Sequence, residues 1–315
     1  MRDQVSVAPD GHRRHLRPPN RHPPGKYPVT VLDTQISCFD TTWNPSTGCT
    51  KVSAGCDNCY AEAIAKRFFG GFDLRLYPER LAETRKFRPL KGADGAPYPR
   101  RVFVNSMSDL WHPGVPDEFL TAVFDAIAGH PTTIFVCLTK RASRLRAFGE
   151  RRWQGGVPEN LWLGVTAETA TTANRIDQLR RLKDAVGPFT AYVNVEPLLE
   201  PVPGHDFSGI DWVGVGGEAG ARARPCAEDW VRDVVDRAHG AGAAVWFKSW
   251  GRWENNPAWP QAQGKTKKAR KQDLVDRGLE LLPEEHGGAT LDGRLVQELP
   301  SAFARMRERL VAGRG

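Results

Sequence analysis

The 315-residue sequence has no apolar run that approaches the ~20 residues a membrane-spanning helix requires. Residues 1–26 are rich in Arg, His and Pro and lack the apolar stretch of a signal peptide. There are eight histidines, and none stands in the HExxH motif of zinc-dependent proteases. These absences exclude a helical membrane protein and that class of zinc enzyme. They favour a cytoplasmic protein whose cysteines stay reduced.

Positive charge is concentrated in two segments rather than spread over the chain. The formal net charge is +7, but residues 1–27 carry +4 and the run GKTKKARK (264–271) carries +5, which leaves −2 for the remainder. The body of the protein therefore has no basic composition that would indicate a nucleic-acid surface. We expect residues 1–34 to be a disordered, basic extension rich in Pro, His and Arg. We expect the basic run to be a solvated, mobile insert, with phosphate contacts as the alternative.

Cysteine is scarce, but half of the six cysteines lie within eleven residues. Cys49, Cys56 and Cys59 occur in the run TGCTKVSAGCDNCYAE, next to glycines that let the backbone bend. Such a loop can hold a metal or an iron–sulfur cluster, and three thiolates leave one metal position open. We predict an iron–sulfur cluster. Because structural zinc needs four ligands, the zinc alternative requires Cys38, His112 or Cys226 as the fourth.

The spacing of apolar runs predicts an α/β fold of the TIM-barrel-like (β/α) type, complete or partly open. Near-continuous apolar strands indicate burial on both faces and hence parallel pairing, although a doubly wound open sheet remains the alternative. Between them, capped amphipathic patterns predict helices that begin at about 117, 169–171 and 228. We assign 35–256 to the barrel domain and 257–315 to a C-terminal extension with the basic insert and a terminal helix. The predicted strands are 36–43, 102–104, 133–138, 160–165, 190–195, 211–216 and 243–248.

Polar side chains follow each predicted strand at its carboxyl end. Parallel strands bring these ends to one rim, which is where such barrels place their active sites. A structural network of ion pairs at this rim is the alternative to catalysis for the charged members, with Glu168 and Glu196 pairing with Lys248 and Arg141. The predicted rim contains Asn105, Ser106, Asp109, Lys140, Arg141, Glu168, Glu196, Gly216, Gly217, Glu218, Arg224, Lys248 and Trp250.

Several blocks of the sequence resemble, in order, those of the phage-associated Gp-thirty-seven/Gp-sixty-eight family, a domain of unknown function. The blocks are TTWNPSTGCTKVSAGCDNCYAE, VFVNSMSDLWH, LTKRASRL, NLWLGVTAE, VEPLLEPV, DWVGVGGEAGARARP and WFKSWGRW, between residues 36 and 253. The resemblance implies a TIM-barrel-like fold with a three-cysteine loop similar to that of radical S-adenosylmethionine (SAM) enzymes. In that superfamily the cysteines hold three irons of a 4Fe–4S cluster, and SAM binds the fourth.

Two further features resemble the radical SAM superfamily, and two differ from it. Tyr60 stands where an aromatic residue often follows the last cysteine, and Gly216-Gly217-Glu218 resembles a Gly-Gly-Glu motif that contacts SAM. However, six residues separate Cys49 from Cys56 where the superfamily usually has three, and the Gly-Gly-Glu triplet follows a late strand. We therefore expect these glycines to form a turn that lets the backbone approach a ligand closely.

The resulting functional prediction is a radical SAM-like enzyme that acts on a nucleotide or a nucleic-acid base and receives electrons from a ferredoxin or flavodoxin. The alternative is a zinc-stabilised nucleic-acid-binding or phage-accessory module without catalysis. We predict catalytic roles for Asp109, Glu168, Glu196 and Lys248. Cofactor-binding roles are predicted for Tyr60, Asn105, Ser106, Gly216, Gly217 and Glu218. Substrate-binding roles are predicted for Lys140, Arg141, Arg224 and Trp250. For Trp250 the role is stacking on a base, with packing in the core as the default alternative.

Overall fold

A single sheet of eight strands organises the protein, whose computed structural model describes residues 31–34 and 36–313. The strands are paired in chain order from the first to the last. The first pair is antiparallel and all the others are parallel. The strands are β1 (Val31–Asp33), β2 (Thr41–Trp43), β3 (Arg100–Val104), β4 (Thr133–Thr139), β5 (Leu161–Thr166), β6 (Ala191–Val195), β7 (Trp212–Val215) and β8 (Ala244–Phe247).

The seven parallel strands curl into a half-barrel surrounded by helices, which confirms the predicted fold in its partly open form. The apolar runs form strands because both of their faces are covered. In β5, for example, all six residues are buried. The helices are α1 (Tyr60–Phe69), α2 (Asp117–Ala128), α3 (Ala142–Arg152), α4 (Asn174–Val186), α5 (Glu228–Gly240), α6 (Lys267–Asp276) and α7 (Ser301–Ala312).

The inner face of the half-barrel is filled with aromatic side chains. Tyr192 stacks on Trp212 with ring centroids 4.4 Å apart, and Trp162 packs edge-on against the same indole. The terminal helix α7 closes this cluster by burying Ala302 and Met306 against it. Because aromatic rings and α7 fill the interior, the polar chemistry of the protein is left to the carboxyl ends of the strands.

Two sequence predictions about the ends of the chain are corrected. Val31–Asp33, which we placed in a disordered extension, forms the edge strand β1, while residues 1–30 lie outside the described residues. The basic run is not simply a mobile insert, because most of it lies in α6. There Arg270 lies 4.0 Å over the ring of Trp259, and Lys271 lies 4.9 Å over that of Trp253, as cation–π pairs.

No helix within the described part of the chain combines the length and the apolar character needed to cross a membrane.

Candidate active site at the carboxyl edge of the sheet

The three clustered cysteines lie on the loop that connects β2 to α1. Cys56 ends a short 3-10 turn and Cys59 immediately precedes α1, so the two are fixed by local structure. All three thiols are free and partly exposed, whereas the other three cysteines are buried. Burial raises the pKa of Cys38 and of Cys226 to about 12, which keeps both thiols neutral. The donor set at the loop therefore matches a three-thiolate cluster in number and type.

The geometry of this loop does not bring the thiols together as a metal site. Within the described residues, no group of three or more His, Cys, Asp or Glu side chains is arranged to hold a metal ion. Two of the proposed fourth ligands for zinc, Cys38 and Cys226, are buried in the hydrophobic core. The third, His112, lies beside the loop, where its Nε2 is 3.0 Å from Thr50 Oγ1.

Three carboxylate–arginine pairs hold the cysteine loop, and the first joins the ends of β3 and β4. Arg141 donates to Asp109 at 2.9 Å, and the same guanidinium donates to Cys49 Sγ at 3.4 Å and to Thr50 O at 2.9 Å. Thr139 Oγ1 also donates to Asp109, at 2.7 Å. Burial and the Asp109 charge raise the pKa of Cys49, and Arg141 opposes that shift. The pair fastens the first cysteine to the rim.

The second pair lies beneath the middle of the loop, after β5. Glu168 is completely buried and accepts a hydrogen bond of 2.8 Å from Arg175, which also donates to Thr166 O at 2.8 Å. The hydroxyl of Ser53, in the loop, donates to the other oxygen of Glu168. A Cβ atom on Gly55 would lie 2.7 Å from Glu168 Cγ, so the loop backbone rests directly on this carboxylate.

The third pair, after β7, holds the loop on both sides of the second cysteine. Arg224 forms a two-pronged ion pair with Glu218 through Nε (2.9 Å) and Nη2 (2.6 Å), and Nη2 also donates to Ala54 O at 2.8 Å. Asn58 Nδ2 donates to Glu218 at 3.0 Å. Burial alone would raise the pKa of Glu218, but its bonds to Arg224 and Asn58 hold the pKa below its usual range.

The predicted acid–base residues are thus paired rather than free. Lys248 donates to Glu196, as the ion-pair alternative anticipated. Burial lowers the pKa of Lys248, but the Glu196 carboxylate outweighs that effect and raises it overall. Glu168 pairs with Arg175 and not with Lys248 or Arg141, so that part of the predicted network is corrected.

The Gly-Gly turn approaches backbone instead of open space. A Cβ atom on Gly217 would lie 2.2 Å from Trp250 O, and the Gly217 amide donates to Ser249 O at 2.9 Å. Trp250 itself is fully buried, and its indole donates to Thr290 O at 3.1 Å. The prediction that Trp250 stacks on a substrate is corrected, because this side chain belongs to the hydrophobic core.

Asn105, Ser106 and Tyr60 connect the cysteine-bearing segment to the end of β3. Asn105 has a left-handed backbone (φ 59°), a conformation that asparagine tolerates, and its Nδ2 donates to Ser46 Oγ at 2.8 Å. Ser106 Oγ donates to Asn44 Oδ1 at 3.2 Å, and Tyr60 Oη donates to Ser106 O at 2.7 Å. In this structure the three residues support the loop, and their proposed ligand contacts remain predictions.

A cleft of about 770 Å³ opens beside the cysteine loop. Its lining includes Val52, Ser53 and Ala54 of the loop together with Lys140 and Arg144. Lys140 is half-buried, and its backbone amide donates to Asp109 Oδ2 at 3.2 Å. Its ammonium group has no ion-pair partner within the described residues. Lys140 and Arg141 are thus placed together at the rim, as predicted.

Sequence analysis missed several residues that build this site. Arg175, Ser53 and Asn58 each complete one of the contacts to the loop. The sequence pattern could have indicated Asn58, because it lies between two candidate ligands. Nothing in the sequence indicated Arg175, because an arginine in the first turn of an amphipathic helix normally faces solvent.

A half-barrel of parallel strands with a three-cysteine loop at its carboxyl edge defines the class of this α/β protein. A family model described as "Protein of unknown function (DUF5131)" matches residues 33–300, so the chain belongs to that family. The phage-associated family name suggested by the sequence blocks is not confirmed by this match. No curated protein sequence matches the chain.

Among solved structures, three forms of spore photoproduct lyase are similar to parts of this chain. The enzyme complexed with dinucleoside spore photoproduct has 14% identity and a TM-score of 0.43, covering 67% of this chain and 64% of that one. A tyrosine-to-phenylalanine mutant has 12% identity and a TM-score of 0.49, covering 69% of this chain and 78% of that one. A double mutant with bound AdoMet and dinucleoside spore photoproduct has 13% identity and a TM-score of 0.41, covering 66% of this chain and 63% of that one. This chain therefore spans less than two thirds of the length of two of these proteins.

Proposed function

We propose that the protein is a radical SAM-like iron–sulfur enzyme in which Cys49, Cys56 and Cys59 hold three irons of a 4Fe–4S cluster. The observation that carries the proposal is the separation of the six cysteines into two groups. Three are buried and neutral in the core, and three are partly exposed on one loop at the carboxyl edge of the half-barrel. This edge is where barrels of parallel strands place their active sites.

The ion pairs give the loop a rigid support that a cluster site requires. Arg141, Arg175 and Arg224 each pair with a carboxylate of the rim. Each pair also contacts the loop, so the backbone around the cysteines is held from three sides. Catalytic sites need such support because a ligand set that moves by an ångström loses its geometry.

Arg141 has a specific role toward the first cysteine. Metal binding requires a thiolate, and burial together with Asp109 raises the pKa of Cys49. The guanidinium of Arg141 donates to the Cys49 sulfur at 3.4 Å and so favours the charged form. When bound, the cluster would supply the electron that cleaves SAM, with a ferredoxin or flavodoxin as the source.

The substrate class that we propose is a nucleotide or a nucleic-acid base. The exposed lysines next to and within α6, Lys265, Lys267 and Lys268, make no ion pair within the described residues and suit a polyanionic partner. A zinc-stabilised binding module is the second candidate, and one observation favours it. His112 Nε2 lies 3.0 Å from Thr50 Oγ1, which brings an imidazole next to the residue that follows Cys49.

Metal analysis tests this proposal. After anaerobic purification and reconstitution with iron and sulfide, we expect about four irons per chain. Cys49→Ala should lose most of the iron, while Cys137→Ala, which removes a thiol from the buried strand β4, should retain it. One tightly held zinc and no iron would contradict the proposal and favour the binding module, and so would equal iron in both variants.

A further inference from the structure

The cleft beside the cysteine loop has the lining of an anion site. Its wall contains the cationic side chains of Lys140, Arg141, Arg144 and Arg175, and Glu200 is the one acidic residue among those that line it. The carboxylates that pair with the three arginines, those of Asp109, Asp117 and Glu168, are not part of the lining. Carboxylates outside the cleft thus hold these three arginines, whose positive charge lines it together with the unpaired ammonium group of Lys140.

Two helices begin at this cleft. Ala142 and Ser143, the first residues of α3, line it, and so does Asn174, the first residue of α4. The first amides of a helix lack intrahelical acceptors and carry partial positive charge, so they add donors for an anion. Glu200, the one carboxylate in the lining, accepts from the Ala170 amide through Oε1 at 2.8 Å.

A buried donor provides an independent indication of a ligand. Trp111 lines the cleft and is fully buried, and its indole N–H has no hydrogen-bond acceptor within the described residues. A buried N–H without a partner is energetically unfavourable, so such groups normally have an acceptor. The cleft therefore has four cationic side chains and one carboxylate in its lining, and a buried N–H without an acceptor, which matches a ligand with several oxygen atoms and negative charge.

We propose that this cleft binds a phosphate group of the substrate and so holds a nucleotide or a nucleic-acid strand next to the cysteine loop. Lys140 supplies a charge that no residue of the described chain neutralises, and the starts of α3 and α4 supply directed amides. That the bound molecule is the substrate rests on the function proposed above. The binding itself does not, because none of these groups is a cluster ligand.

Calorimetry on the full-length protein tests the proposal with thymidine, thymidine 5′-monophosphate and a dinucleoside phosphate without a terminal phosphate. We expect at least one of the two phosphates to bind about tenfold or more tighter than thymidine. Tighter binding of the monoester would identify a free nucleotide, and tighter binding of the diester would identify a strand. Equal affinity for all three compounds would overturn the proposal.

Two matched variants locate the binding site. Lys140→Glu should abolish the preference for phosphate, because it reverses the unpaired charge in the cleft. Lys91→Glu, which makes the same change on an exposed lysine outside the cleft, should leave the preference within about twofold. An equal loss in both variants would mean general electrostatic attraction and would overturn the assignment, as would an unchanged preference in Lys140→Glu.

A competition experiment separates the phosphate from the carboxylate of SAM. Phosphate affinity should be unchanged at saturating SAM, whereas displacement by SAM would assign the cleft to that cofactor and overturn the proposal. These measurements are made on protein with and without reconstituted iron. A protein that binds phosphate but no iron would retain this inference and lose the proposed cluster, so the two failures are distinguishable.

Discussion

Asn58 donates its side-chain amide to Glu218 at 3.0 Å, across 160 residues of sequence. Asn58 lies between Cys56 and Cys59, and Glu218 follows the Gly-Gly turn at the end of β7. The contact therefore joins the cysteine loop to the opposite part of the rim. Glu218 is nearly buried and already accepts two bonds from the Arg224 guanidinium, so in this structure its carboxylate serves to position the loop.

Removing the cation of this pair should destabilise the protein in a pH-dependent way. Arg224→Gln leaves Glu218 buried without its ion pair, and we expect the free energy of unfolding to fall by about 2–3 kcal/mol at pH 7. Because folding lowers the pKa of Glu218 below its ordinary value of 4.5, the pair contributes its stability above that pH. The difference between wild type and variant should shrink as the pH falls below about 4.5 and Glu218 is protonated.

Urea denaturation at several pH values measures this difference. Arg232→Gln is the control, since Arg232 forms its ion pairs at the exposed surface of α5 and such pairs are worth about 0–1 kcal/mol. A constant difference between pH 7 and pH 3.5 for Arg224→Gln would show that Glu218 is not the group involved.

A methyl group on Gly55 should disturb the contact between the loop and Glu168. The added Cβ would lie 2.7 Å from Glu168 Cγ, and Arg175 holds that side chain in place. We expect Gly55→Ala to destabilise the protein by about 1–3 kcal/mol and to speed hydrogen exchange of the loop amides. Gly204→Ala, at an exposed site with open space around it, should change stability by less than about 0.5 kcal/mol. Similar results for the two variants would disprove the contact.

The Gly-Gly turn offers a test of its structural role. On Gly217 a Cβ would lie 2.2 Å from the backbone oxygen of Trp250, whereas on Gly216 the nearest atom, Ser249 O, would be 3.2 Å away. We therefore expect Gly217→Ala to lower the unfolding free energy by more than about 2 kcal/mol and Gly216→Ala by about 1 kcal/mol. If Gly217→Ala melted like wild type, the turn would not be needed for packing, and a role in binding a ligand would explain it better.

The fold was predictable because its strands are apolar on both faces and recur at the spacing of βα units. Six of the seven parallel strands and the starts of α2 and α5 follow the sequence pattern closely, whereas β2 covers only Thr41–Trp43 of the strand predicted over 36–43. The rim was predictable from the rule that parallel strands end at one edge. The ion-pair partners of the individual rim residues were not predictable. Arg175 reaches Glu168 from a helix, and no local pattern distinguishes this buried arginine from one in solvent.

The orientation of single side chains at the strand ends could not be predicted from the sequence pattern either. Trp250 follows β8 at a position that suits a ligand, but its ring packs against Phe247 with centroids 4.9 Å apart. Whether such a residue faces the rim or the core depends on how the chain turns after the strand. Here that turn follows the close packing of Gly217 against the Trp250 backbone, which is a contact between distant segments.

Electron paramagnetic resonance of the reconstituted, reduced protein, with and without SAM, tests the central claim most directly. A cluster held by Cys49, Cys56 and Cys59 has one iron without a protein ligand, and SAM would bind there. We predict a 4Fe–4S signal whose position and shape change when SAM is added. A protein that binds no iron, or a cluster whose signal is the same with and without SAM, would contradict the account.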